Sequence, residues 1–170
     1  MPMDTAENAE PERLVFRELD SSVVAWPLFA RSFGHPPPVD GRHVCTFLRD
    51  ANELEHLACY IHFRPCGEIL LGGGAVVSST LLRSMSGATR RQVRAAGGLY
   101  RMSLGWALQQ FRGRYLAVFG YCGDRLAERV DRAVGFADTG HPRLLVYWLE
   151  PCDRPTQKQL VDQAHAFGPF

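Results

Sequence analysis

Tyr115-Leu-Ala-Val-Phe119-Gly-Tyr-Cys-Gly-Asp124-Arg-Leu-Ala-Glu-Arg-Val-Asp-Arg-Ala-Val-Gly135-Phe136 is the stretch from which the fold can be read. Tyr115–Phe119 is an unbroken apolar run bounded by glycines, the composition of a strand covered on both faces. Asp124 then offers a side-chain oxygen to cap a helix. In that helix Leu126, Ala127, Val130, Ala133 and Val134 share one face. Arg125, Glu128, Arg129 and Arg132 share the other, and Gly135 ends it. A buried strand feeding an amphipathic helix is the repeating unit of α/β architecture.

The same periodicities extend outward. Upstream, Tyr100, Leu104, Ala107, Leu108 and Phe111 form the stripe of a largely buried helix, opened by Gly97-Gly98 and closed by Gly113. Downstream, Leu144–Leu149 has strand composition, and the tail after Pro151 holds a short helix near Thr156–Ala166. Near the N-terminus a strand is predicted at Arg13–Glu18. A helix capped by Asp20-Ser-Ser follows and must stop at Gly34-His-Pro-Pro-Pro38. Val44, Phe47, Leu48 and Ala51 fall at helical spacing, which predicts a second short helix over Arg42–Ala51. Leu57–Phe63 and the run opening at Glu68 read as a hairpin across Arg64–Gly67. Gly72-Gly73-Gly74 interrupts the returning strand and predicts a bulge or a close backbone approach. Ser84–Ala88 reads as a loop, and Thr89–Arg94 fits a short strand and a helical turn equally well. The order implies one α/β (α+β) domain over residues 13–150, a central mixed sheet flanked by helices. A flexible lead-in at 1–12 and a tail at 151–170 complete it.

Charge adds a second signal. Formal net charge is only +1 over 170 residues, which argues against a general nucleic-acid binder. Yet Ile69–Gly123 contains no acid and seven arginines, so it carries +7 against −6 elsewhere. At its centre lies Arg94-Ala-Ala-Gly97-Gly98-Leu99-Tyr100, a glycine-opened helix start amid uncompensated charge. That combination suits an anionic, phosphate-bearing ligand. No apolar run approaches the length of a membrane span. The polar, acidic first residues lack the pattern of a secretory signal, so the cytoplasm is expected. Five cysteines, an odd number with no C-x-x-C, read as free thiols.

Three motifs in this order resemble the GNAT acyltransferase superfamily. Gly67-Glu68-Ile69-Leu70-Leu71-Gly72 is similar to the hairpin between that family's second and third strands. Arg94-x-x-Gly97 resembles the start of its coenzyme-A loop, R/Q-x-x-G-x-G/A, with Leu99 in place of the last small residue. Asp124-x-x-Ala127-x-x-Val130-x-x-x-x-Gly135-Phe136 follows the spacing of N-x-x-A-x-x-L-Y-x-x-x-G-F. The resemblance implies an N-acyltransferase using acetyl-CoA or another acyl-CoA, with no metal. The acceptor would be a small-molecule or peptide amine attacking the thioester directly, and a homodimer is compatible. It implies a cofactor cradle from Arg94, Gly97, Gly98, Leu99, Arg101 and Asp124. The pantetheine arm would lie along Val76, Val77 and Ser78, or along 89–93 if that is the fourth strand. The family's tyrosine acid is replaced by Asp131. On the residues alone Asp131 is a solvated helix carboxylate first and a proton donor second. Tyr121 and Cys122 are alternative donors, and Glu68, His62 or Glu55 could take the amine proton. With the tyrosine missing and the loop incomplete, a GNAT-shaped module that binds coenzyme A or a protein partner without turnover is the alternative.

His56, Cys59, His62 and Cys66 invite a metal reading. Strand alternation puts His56 and His62 on a face that Cys59 does not share, so no metal site is expected. Cys122 with His141 lacks any local pattern of a nucleophilic pair.

Overall fold

The computed structural model describes residues 11–170. Most of the predicted lead-in, residues 1–10, lies outside the described residues. In chain order the elements are β1 (Arg13–Leu19), a 3₁₀ turn and α1 (Trp26–Phe33), β2 (Arg42–Arg49), β3 (Glu55–Cys66), β4 (Ile69–Val77), α2 (Ser79–Ser84), α3 (Gly87–Ala95) and α4 (Leu99–Phe111). β5 (Ala117–Tyr121), α5 (Arg125–Val134), β6 (Ala137–Asp138), β7 (Leu144–Trp148) and α6 (Arg154–Phe167) follow. The strands form one mixed sheet in the order β1-β2-β3-β4-β5-β7-β6. Every neighbouring pair is antiparallel except β4 and β5.

Alternation along each strand sorts the side chains to two faces. One face packs Val44, Ile61, Phe63, Leu70 and Val118 against α4, whose buried stripe is Leu99, Leu104, Ala107, Leu108 and Phe111. The other face packs Ile69, Leu71, Phe119 and Val146 against α6 through Leu160 and Ala164. Further along that same face, Cys45, Tyr60 and Val76 pack against Phe29 of α1.

Residues 42–49 form a strand, not the helix their spacing predicts. His43 through Leu48 are all buried, with Val44 and Leu48 facing α4 and Cys45 and Phe47 facing α1. A strand covered on both faces is apolar throughout, so helical spacing occurs in it by coincidence. The region around Arg83–Val93 is helical: Ser78 caps α2 by accepting from the Leu81 N–H, and Ser86 caps α3 by accepting from Thr89. Only short polar caps signal this in the sequence.

The glycine triplet forms the predicted bulge. Ile61 pairs with Ala75 and Phe63 with Gly72, so Gly73 and Gly74 together face the single residue His62. Bulky neighbours require glycine there: a Cβ on Gly73 would come 2.6 Å from His62 Nδ1, and one on Gly74 2.8 Å from Phe29.

Phe111 is fully buried, edge-on to Phe63 at 5.0 Å between ring centroids. Phe111→Ala is expected to cost about 3–5 kcal/mol, the usual range for deleting a buried aromatic. Denaturant unfolding would show it as a lower midpoint with unchanged slope.

Candidate active site

The site forms where the parallel pair comes apart. β4 and β5 pair from Ile69–Ala117 to Gly72–Gly120, and there the pairing stops, although β4 runs on to Val77. Both residues of the last rung are glycine, so no side chain closes the gap. A cleft of about 730 Å³ opens at this point, floored by Gly72, Gly73 and Gly74. On the α4 face it is lined by Tyr100, Leu104, Cys122, Ala127, Val130 and Asp131, and on the opposite face by Phe33, Tyr121 and Phe170.

β4 keeps a free edge along the cleft. The Ser78 N–H bonds to the Ala58 carbonyl, so alternation turns Val76 towards β3 as well. Ala75 and Val77 are left with their backbone groups facing the cleft. Of the predicted pantetheine contacts, Val77 therefore borders the cleft. Val76 is buried on the opposite face, and the Ser78 hydroxyl is occupied in capping α2.

The predicted phosphate loop has an unexpected construction. Gly97 adopts φ +86°, its N–H bonds to Arg94 O, and the Gly98 N–H bonds to Val93 O. This is the glycine cap of a helix end, and it uses both N–H groups to close α3. The donors available at the start of α4 are the N–H groups of Leu99, Tyr100 and Arg101, which precede the first intrahelical bonds. Arg101 folds its side chain over Gly97 and reaches the Ala133 carbonyl at 3.4 Å. Arg94 is exposed on α3 and has no ion pair among the described residues. Asp124 lines the cleft mouth but accepts from the Leu126 N–H, so its carboxylate caps α5. Leu126, predicted on the apolar face, is 72% exposed at the same mouth.

Asp131 corrects the solvated-helix reading. It is buried, 6% exposed, and lines the cleft on α5. Tyr100 OH donates to Oδ1 at 2.9 Å, and the Cys122 thiol donates to Oδ2 at 3.2 Å. Burial pushes its carboxyl above the usual range, although the two donors pull the other way. The Cys122 thiol is itself pushed up to about 12, by burial and then by the bond to Asp131, so it stays protonated. Burial likewise raises Tyr100. Asp131 Oδ2 lies 3.5 Å from where a Gly120 Cβ would stand, so the carboxyl is set beside the last rung of the parallel pair. Tyr100 was legible in the sequence only as part of a core stripe. The α4–α5 packing that delivers its hydroxyl to Asp131 leaves no local signature.

The remaining acid–base candidates separate cleanly. Tyr121 reaches the cleft from the other sheet face, with its ring edge-on to Phe170 at 5.7 Å. Glu68 is exposed at the β3–β4 turn, before the paired end of the parallel strands, and does not join the cleft. Glu55 is bound by Arg17 at 2.6 and 2.7 Å and by Arg49, and these guanidiniums hold it near 2. His62 is buried opposite the bulge. Among the described residues no group of three or more His, Cys, Asp or Glu could hold a metal ion. No described helix is long and apolar enough to cross a membrane.

No protein-family model matches the sequence, and no curated protein matches it. Solved structures do. One is the ribosomal-protein-S18-alanine N-acetyltransferase from Escherichia coli, at 9% identity and TM-score 0.54, covering 84% of this chain and 97% of that one. Another is a chain of the KacTA–DNA complex, at 14% identity and TM-score 0.52, covering 89% of this chain and 99% of that one. The chain has the GNAT fold.

The state of Asp131 can be tested through stability. Asp131→Asn keeps an acceptor for Tyr100 and removes the ionisation. Because the folded value is raised, the wild type loses stability relative to this variant as pH climbs from 3.8 through that value. Asp131→Ala is expected to cost about 1–3 kcal/mol at any pH, because two buried donors lose their acceptor. Denaturant unfolding of the three proteins between pH 4 and 8 measures both effects.

Proposed function

We propose that this protein is an acyl-CoA-dependent N-acyltransferase, with acetyl-CoA the expected donor. The observation that carries this reading is the divergence of β4 and β5 into a cleft open to both faces of the sheet. A thioester placed in that gap meets the unpaired backbone of the Gly73–Gly74 bulge, a source of N–H polarisation for its carbonyl. The free β4 edge at Ala75 and Val77 suits an extended amide-bearing arm such as pantetheine. The open N–H groups at the start of α4, with Arg94 nearby in the chain, suit its pyrophosphate.

Transfer proceeds by direct attack of an amine entering from the Phe33–Tyr121 face. The nitrogen lone pair forms the C–N bond, the C–S bond breaks, the nitrogen releases its extra N–H proton to solvent to leave the amide, and the thiolate leaves on the α4 face. Asp131, whose carboxyl burial raises above the usual range, supplies the proton to that sulfur, while Tyr100 and Cys122 fix its orientation. Five free cysteines suit a reducing compartment, in keeping with the cytoplasm.

One observation favours a second reading, a GNAT-shaped module that binds without turnover. The N–H groups of Gly97 and Gly98 are already engaged in closing α3.

Calorimetry with acetyl-CoA, together with thiol release over a panel of amines, separates the two. Binding with turnover is expected. Binding without turnover selects the second reading, and no binding of any coenzyme-A thioester removes the acyltransferase and leaves of the second reading only a module for a protein partner. Asp131→Asn is expected to lower kcat about 100-fold or more, the usual contribution of a general acid, with acetyl-CoA affinity kept.

A further inference from the structure

His62 is a buried imidazole whose surroundings specify its tautomer and leave its second ring nitrogen without a hydrogen-bond partner among the described residues. It sits on β3, 5% exposed, opposite the bulge. Its Nε2 lies 2.8 Å from the Asp40 carbonyl oxygen. A carbonyl only accepts, so Nε2 carries the proton and Nδ1 carries the lone pair. Nδ1 has no hydrogen-bond partner among the described residues, and no fully buried side-chain nitrogen or oxygen there lacks one, so Nδ1 is not completely sealed.

Two glycines make room for the ring. A Cβ on Gly41 would come 2.5 Å from Nε2, and one on Gly73 would come 2.6 Å from Nδ1. Gly41 also holds φ +124°, which strains any other residue. The imidazole is therefore clamped between the loop before β2 and the bulge of β4, with its unprotonated nitrogen over a residue that lines the cleft.

Strand alternation puts His62 on the same sheet face as Tyr60 and Phe29, the face that also carries Phe33 and Tyr121. That is the acceptor side of the proposed reaction, opposite Asp131. Neighbouring charge favours the neutral ring. Burial lowers His62 below its usual value, the Asp40 carbonyl opposes this, and His43 and Arg64 reinforce it. The His43 ring lies tilted to it, 5.6 Å between centroids, and is held in turn by Tyr60 OH and the Val39 carbonyl. β4 presents only glycines to the ring, so no carboxylate from that strand stabilises a charged form.

We infer that His62 is the catalytic base of the acyl transfer, its Nδ1 taking the proton from the acceptor's ammonium group beside the Gly73–Gly74 bulge. The N–H bond of the ammonium breaks and its electron pair becomes the nucleophile. Nδ1–H forms, and the proton passes on to water after the C–N bond is made. The inference rests on the acyltransferase reading and adds to it the group that prepares the nucleophile. The acceptor is accordingly a primary amine that arrives charged, and the two proton-transfer groups lie on opposite faces of the sheet.

The test compares wild type with His62→Gln. The Gln amide can still donate to Asp40 O, so the loop stays tied, but it cannot accept a proton near neutral pH. Acetyl-CoA affinity is measured by calorimetry. Thiol release is followed from pH 5 to 9 with the fastest amine from a panel of arylalkylamines, polyamines and an alanyl peptide. Unchanged acetyl-CoA affinity, a fall in kcat/KM of about 100-fold or more, and loss of a pH limb of kcat/KM that His62→Gln alone abolishes are expected. Activity within about threefold of wild type, or a pH profile unchanged in shape, overturns the inference while leaving the acyltransferase reading intact. Absence of turnover in the wild type itself overturns both and is recognised in the wild-type arm. If His62→Gln does not fold, nitrogen NMR of the wild type decides: an Nε2–H tautomer whose Nδ1 signal shifts on amine addition supports the assignment, and an Nδ1–H tautomer or an unresponsive signal overturns it.

Discussion

The structure depends on the divergence of one parallel pair. β4 and β5 share four rungs and then separate at Gly72 and Gly120. A parallel pair needs a long crossover, and here α2, α3 and α4 supply it on one face of the sheet. The bulge at Gly73–Gly74 bends β4 away from β5 and turns unpaired backbone into the opening. Glycine at both positions of the last rung keeps that opening free of side chains. Helices α4 and α5 then border the gap on one face, while α1 and the residues after α6 border it on the other. Cleft, backbone donors and two-sided access all follow from one break in hydrogen bonding.

The same geometry explains why Asp131 is buried. Residues lining a cleft within the sheet are shielded on most sides, and α5 turns Asp131 towards the divergence point. A carboxyl there is tolerated because Tyr100 and Cys122 both donate to it. On the opposite face His62 is equally enclosed, and the loop carbonyl of Asp40 sets its tautomer. The sheet therefore carries a buried carboxyl on one face and a buried imidazole on the other.

The arginine-rich segment changes meaning once the chain folds. Arg114 pairs with Glu18, ninety-six residues away in sequence, at 2.6 and 2.9 Å. Arg112 donates to the Leu149 carbonyl and to Tyr147, and Arg90 to the carbonyls of Arg83 and Met85. Arg114 and Arg112 thus join distant parts of the fold, and Arg94 is one of the arginines left facing solvent. Among the described residues, Arg114 with Glu18 is the one ion pair that joins the acid-free block to the acidic remainder.

Local chemistry made much of the fold legible from sequence alone. The buried run before Gly120, the cap at Asp124, the stripe of α4 and the bulge glycines are each specified by neighbouring residues, through periodicity, capping or steric demand. Burial on both faces hid β2, because a strand of that kind has no alternation to display. The glycine pair at 97–98 was visible, but whether its N–H groups close α3 or face a ligand depends on where α3 ends. Tyr100, Asp131 and Cys122 meet across α4, α5 and the end of β5, and His62 meets Gly41 and Gly73 across three segments. Sequence determined most of the elements, because those depend on residues a few positions apart, but not β2 or the helices around 83–93. Tertiary structure decided which side chains are buried together at the cleft, because burial and hydrogen-bond partners are set by segments distant along the chain.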